Sequence, residues 1–126
     1  MVGVVYDTGA LLAAERANRA LWVLNDEMLR RGVRPVVPSV VLAQAWRGGP
    51  QPNLSRLLKG CVIESLAENA AREVGRLLAA AGRPDIVDAA VVVSAGSRGD
   101  LIVTSDPDDL AELTAALDVR LSLHVI

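Results

Sequence analysis

Four aspartates carry the chemistry that this sequence can do. Asp7 follows the apolar run Val2-Gly3-Val4-Val5-Tyr6, and Asp88 closes Asp85-Ile86-Val87-Asp88. Asp106 and Asp109 fall in Ser105-Asp106-Pro107-Asp108-Asp109, directly after Leu101-Ile102-Val103-Thr104. Carboxylates gathered at one place repel, and at least one then keeps its proton above the ordinary carboxylate range unless a cation joins them. A hard divalent ion removes that conflict. Mg²⁺ takes oxygen ligands, using one or two carboxylates, several waters and a substrate phosphate. With a single His and a single Cys in the chain, a zinc site of the usual nitrogen and sulfur ligands has no support. A second explanation stands beside the first. Each acid lies near the expected start of a helix, where capping and the helix dipole alone favour a carboxylate by about 0.5–2 kcal/mol.

The elements around these acids say where they meet. Short β-branched runs alternate with helical stretches. Val2–Tyr6, Pro35–Pro38, Cys61–Glu64, Leu101–Thr104 and Arg120–Ile126 read as strands. Between them, 8–17, 18–31, 39–46, 53–59, 67–81, 84–97 and 107–117 read as helices, several stopped by Gly32, Gly60, Gly82 and Gly99. Ser39 is the expected cap of its helix, and Asp85 of the one that carries Asp88. Strands alternating with helices imply a central, mainly parallel sheet covered on both faces, a three-layer α/β/α sandwich. In such sheets ligands bind beyond the carboxyl ends of the strands. Asp7 and the Thr104-Ser105-Asp106 stretch then share one edge if their strands are neighbours.

The 126 residues, 52% hydrophobic and 22% charged, are expected to form one domain over 1–126 with a core of its own. The formal charge of −2 argues against a broad basic nucleic-acid face but leaves room for an Arg-lined groove. Cys61 lies in an apolar run and reads as a buried structural thiol. Met1–Tyr6 has neither the basic start nor the apolar length of a leader. The longest uncharged run, Pro35–Trp46, is too short for the ~20 residues of a bilayer span, so a cytoplasmic location without membrane contact is expected. His124 sits in an alternating strand pattern and reads as structural. Trp22 and Trp46 read as core or interface anchors.

Four blocks together resemble the PIN domain, specifically the VapC-type toxin ribonucleases of bacterial toxin–antitoxin pairs. They are Val4-Val5-Tyr6-Asp7-Thr8-Gly9-Ala10-Leu11-Leu12, Pro38 to Arg47, Asp85-Ile86-Val87-Asp88-Ala89-Ala90-Val91, and Ile102 to Leu110. The resemblance spans nearly the whole chain. It implies a PIN-like fold and an endoribonuclease using Mg²⁺ or Mn²⁺. By the same resemblance Asp7, Asp88 and Asp106 are the metal-binding acids and Asp109 is a further acid of the site. Thr104 and Ser105 are the polar pair lining it. It also implies an RNA substrate, a VapB-type antitoxin and a homodimer.

One position departs from the pattern. The second block ordinarily carries a glutamate where this chain has Gln44, which offers a carbonyl and an amide but no charge. Weaker metal binding is expected, with Glu15, eight residues after Asp7, as the nearest unassigned acid in sequence to compensate. A catalytically weakened PIN-fold binding or regulatory protein is the alternative reading. Arg47 and Arg83 are expected to hold the RNA backbone, with Arg16 and Arg19 as further cations on the first helices. The apolar positions Leu21 to Leu29 are the expected dimer or antitoxin surface.

Overall fold

The computed structural model describes residues 2–82 and 84–126. Five short strands, β1 (Val4–Tyr6), β2 (Val36–Pro38), β3 (Val62–Glu64), β4 (Leu101–Thr104) and β5 (Leu123–Val125), form one sheet in the order β3-β2-β1-β4-β5. Every neighbouring pair is parallel. The helices are α1 (Thr8–Glu15), α2 (Arg19–Arg30), α3 (Ser39–Ala45), α4 (Pro52–Lys59), α5 (Glu68–Ala81), α6 (Ile86–Arg98) and α7 (Pro107–Leu117).

Right-handed crossovers decide which helices cover which face. The chain steps from β1 outward to β2 and β3 through α1–α4, then returns to β4 and β5 through α5–α7. The reversal puts the two helix sets on opposite faces. In agreement, α1 packs on α2, α3 and α4, while α5, α6 and α7 pack on one another. The sandwich expected from the sequence is therefore present. Val4, Val5 and Tyr6 are all buried, as a strand covered on both faces requires. The Tyr6 hydroxyl donates to Asn25 Oδ1 at 2.8 Å, which satisfies the one polar atom of that strand's side chains.

The helix α6 lies deepest. Seven consecutive residues, Ala89 to Ala95, are buried. Small Ala and Val side chains let it touch β1, β2 and β4 on one side and α5 and α7 on the other. Its far end is pinned by Arg98, which donates to Glu64 and to Asp100.

Several boundaries differ from the sequence reading. The α3 helix begins at Ser39 itself, with Pro38 at the cap position and no side-chain cap. The last strand shortens to three residues. Among the described residues, no helix is long and apolar enough to cross a membrane. Cys61 is buried, and its thiol donates to Leu57 O.

Candidate functional site

The strand order has one point where the path reverses, between β1 and β4, and a crevice opens at such a point beyond the strand ends. Register fixes what faces it. Tyr6 pairs with Val103, so Asp7 and Thr104 leave their strands level with each other. The Asp7 N–H still donates to Val103 O at 3.2 Å.

Asp7 then caps α1. Its Oδ1 accepts the Ala10 N–H at 2.8 Å, and its carboxylate also accepts from the Gly9 N–H and the Thr104 hydroxyl. Three donors favour the charged form, yet burial outweighs them. Asp7 is 6% exposed, and its pKa is raised by burial first, with the Asp106 charge adding to the rise. The fully buried Thr104 is the hinge of the arrangement. Its Oγ1 accepts the Asp106 N–H at 2.9 Å while its hydroxyl serves Asp7, so a single side chain joins the ends of two elements.

Asp106 sits at the N-cap position of α7 but makes no side-chain cap bond. The capping explanation for this acid therefore fails, although it holds for Asp7. It holds as well for Asp85, whose Oδ1 accepts the Asp88 N–H at 3.0 Å. Asp88, in the first turn of α6, has its pKa pushed up to about 7. Burial is the largest cause, followed by the charge and side-chain hydrogen bond of Asp85 and then the charges of Asp7 and Asp109. Asp7 thus faces Asp106, and Asp88 faces Asp7 and Asp109, so the four acids from three chain regions share one field at the sheet edge. Among the described residues, no three His, Cys, Asp or Glu side chains stand close enough to hold one ion between them. The arrangement is a set of neighbouring pairs.

Gln44 comes to the same rim. The Thr8 hydroxyl, one residue beyond Asp7, donates to Gln44 Oε1, which uses one of the two lone pairs on that oxygen. Glu15 does not compensate for it. Its Oε2 accepts the Leu54 N–H at 2.7 Å, and its carbonyl accepts from Asn53 Nδ2 at 3.0 Å. It caps α4, whose own N-cap residue Gln51 makes no cap bond. The Arg47 guanidinium donates to the carbonyls of Ala43 and Trp46, closing the end of its own helix. Arg83 lies outside the described residues.

Gly9 was not singled out by sequence. A Cβ there would stand 3.4 Å from Asp7 Oδ1 and would overlap Ser105 Oγ. The missing side chain is what lets Ser105 stand beside the first acid. The signal available in sequence was a glycine two residues after Asp7, at a helix start where a side chain is ordinarily tolerated.

Of the expected partner surface on α2, Leu21 and Met28 are buried while Val23 is 56% and Leu29 40% exposed. Trp22 is partly buried, with Nε1 donating to Ala14 O, and Trp46 is 39% exposed.

No protein-family model and no curated protein matches the chain. Solved structures do. The VapBC2 complex of Rickettsia felis bound to promoter DNA matches over 100% of this chain and 99% of that one, at 18% identity and a TM-score of 0.72. The DNA-bound VapBC complex of Salmonella typhimurium matches over 99% and 98%, at 17% identity and a TM-score of 0.70. A protein of Pyrobaculum aerophilum matches over 91% and 84%, at 19% identity and a TM-score of 0.61. The fold is thereby PIN-like, that of VapC structures.

Proposed function

We propose that the chain is a metal-dependent endoribonuclease, the toxin of a VapBC-type pair. The observation that supports this reading is the pairwise repulsion of Asp7 with Asp106 and of Asp88 with Asp7 and Asp109, with Asp7 and Asp88 held above the ordinary carboxylate range. A cation beside such acids relieves their repulsion. The donor set is all oxygen and suits Mg²⁺ or Mn²⁺, which hold few protein carboxylates and keep water. Neighbouring pairs meet that need, and no cage of three is required.

Asp7 and Asp88 would hold the ion, with Asp106 joining through water. When bound, such an ion stabilises charge on a phosphodiester and lowers the pKa of water. The chain's own residues do the rest. Thr104 holds Asp7 in place and ties Asp106 to it. Asp109 would orient an attacking water, and Ser105 lines the approach over Gly9. The expected products carry a 5′-phosphate and a 3′-hydroxyl. The partners of this reading are RNA, a VapB-type antitoxin and a second copy of the chain, all in the cytoplasm.

A second reading has Gln44 in its favour. An uncharged residue at that rim, its oxygen accepting from Thr8, fits a PIN-fold protein that binds RNA or a regulator without cutting. Purified protein incubated with RNA decides between the two. Cleavage with Mg²⁺ or Mn²⁺ that is abolished by chelator and by Asp7→Asn supports the nuclease. Binding with no cleavage under any divalent ion supports the binder.

A further inference from the structure

Charge is divided between the two faces of the sheet. Eight of the thirteen cations but only four of the fifteen acids fall in residues 1–60, a formal charge of +4, which leaves −6 on residues 61–126. All eight of these cations are exposed. Of the four acids, Asp7 is buried at the site and Glu15 is used as a cap. The α1–α4 layer therefore presents a basic surface that the overall charge of −2 conceals.

The densest part lies where α2 and α4 end together. Arg30 and Arg31 close α2, and Arg56 and Lys59 lie in the last turn of α4. Arg34 bridges the two by donating to Gly60 O and Cys61 O. The ends are in contact, because a Cβ on Gly60 would stand 3.1 Å from the Leu29 side chain. A cation at a helix C-terminus is favoured by the dipole, which accounts for the pair at each helix end but not for Arg34 between them. Local acid is scarce: Arg30 and Arg31 share Glu27 at 3.5 and 2.8 Å, which leaves Asp26 as the other acid of α2. These ion pairs are solvent-exposed and exchange readily for a phosphate.

We infer that this patch of Arg30, Arg31, Arg34, Arg56 and Lys59 is a second RNA-binding surface, which holds the phosphodiester backbone away from the acidic site. The choice of RNA as the polyanion rests on the ribonuclease reading above. The patch leads into the starts of β2 and β3, whereas the acids lie beyond the carboxyl ends, so the height of the sheet separates them. Arginine forks suit phosphate oxygens. An amphipathic acidic peptide finds no aromatic anchor here, because the Arg56 guanidinium covers the Trp22 ring at 4.3 Å from its centroid.

The test is fluorescence anisotropy of a single-stranded RNA long enough to span both edges, in chelator so that nothing is cut, over a range of salt. The triple variant Arg30→Gln, Arg31→Gln, Lys59→Gln should lose about 2 from the slope of log affinity against log salt, and bind roughly 10- to 100-fold more weakly at about 0.1 M salt. The single variant Glu27→Gln should bind more tightly, an outcome that a purely structural ion pair would not give. Cleavage of an oligonucleotide too short to reach the patch should proceed at the same rate in the triple variant. Unchanged slope and affinity in the triple variant overturn the proposal. So does polyglutamate displacing the RNA from wild type while losing affinity equally in the variant, which assigns the patch to an acidic protein segment. RNA binding through the patch without cleavage by any divalent ion keeps the patch and removes the nuclease. Cleavage with variant binding unchanged does the reverse.

Discussion

Asp7 does two jobs that can be separated by the choice of substitution. Asp7→Ala removes the carboxylate, the cap on Ala10 N and the acceptor for the Gly9 N–H and the buried Thr104 hydroxyl. Asp7→Asn removes the charge alone. Its carbonyl still accepts from Ala10, asparagine being as good a cap as aspartate, and its amide can donate to Thr104 Oγ1. Both variants lose the buried charge, so that contribution cancels when they are compared with each other. What remains is one helix cap, about 1 kcal/mol, and the hydrogen bond from the Asn amide to Thr104 Oγ1 that Ala cannot make, about 1 kcal/mol. Asn should therefore exceed Ala by about 2 kcal/mol, which for a domain of this size is a melting difference of roughly 8 °C. The measurement is thermal unfolding of both metal-free proteins by circular dichroism, paired with RNA cleavage. Both should be inactive. Equal melting temperatures would refute the reasoning, because Asp7 would then not be capping α1.

Metal-free protein should lose stability as pH rises from about 4 toward about 7. Asp88 binds its proton more tightly folded than unfolded, so its contribution is complete below the unfolded value and gone above the folded one; urea unfolding against pH should show this slope, and Asp88→Asn should flatten it. The same linkage makes Mg²⁺ raise the melting temperature more at pH 8 than at pH 5, and equal shifts would argue against carboxylate ligands. Gln44→Glu keeps the oxygen that Thr8 donates to and adds a charge beside Asp7, so calorimetry should show tighter Mn²⁺ binding. Glu15→Ala uncaps α4 and should cost about 1 kcal/mol with no loss of metal affinity.

The central strands and their common edge could be read from sequence because a parallel strand buried on both faces must be a continuous apolar run, and β1 and β4 run directly into the polar residues Asp7 and Ser105. The positions of Asp7 and Thr104 followed from that. The capping of α6 by Asp85 followed from spacing alone. Glu15 could not be placed in this way. It caps a helix 39 residues along the chain, a partnership that no local pattern announces. Nor could sequence separate Asp7, which caps, from Asp106, which does not, since both precede a helix. Gly9 escaped because its reason is the approach of Ser105 from the turn after β4. The basic face was hidden by the acids of residues 61–126, which cancel it in the total while lying on the other side of the sheet.

The burial of α6 has a consequence for how this site can change. Asp88 is carried on the first turn of a rod clamped between the sheet and two helices, with Arg98 locking its other end. The backbone that carries its carboxylate is thereby held at a fixed distance from the sheet edge. Any tuning of that distance must pass through the interior, by exchanging methyl groups among Ala89 to Ala95. Laboratory selection for a different metal should accordingly recover substitutions in that greasy stretch, remote from the ion itself, before it recovers new acids at the rim.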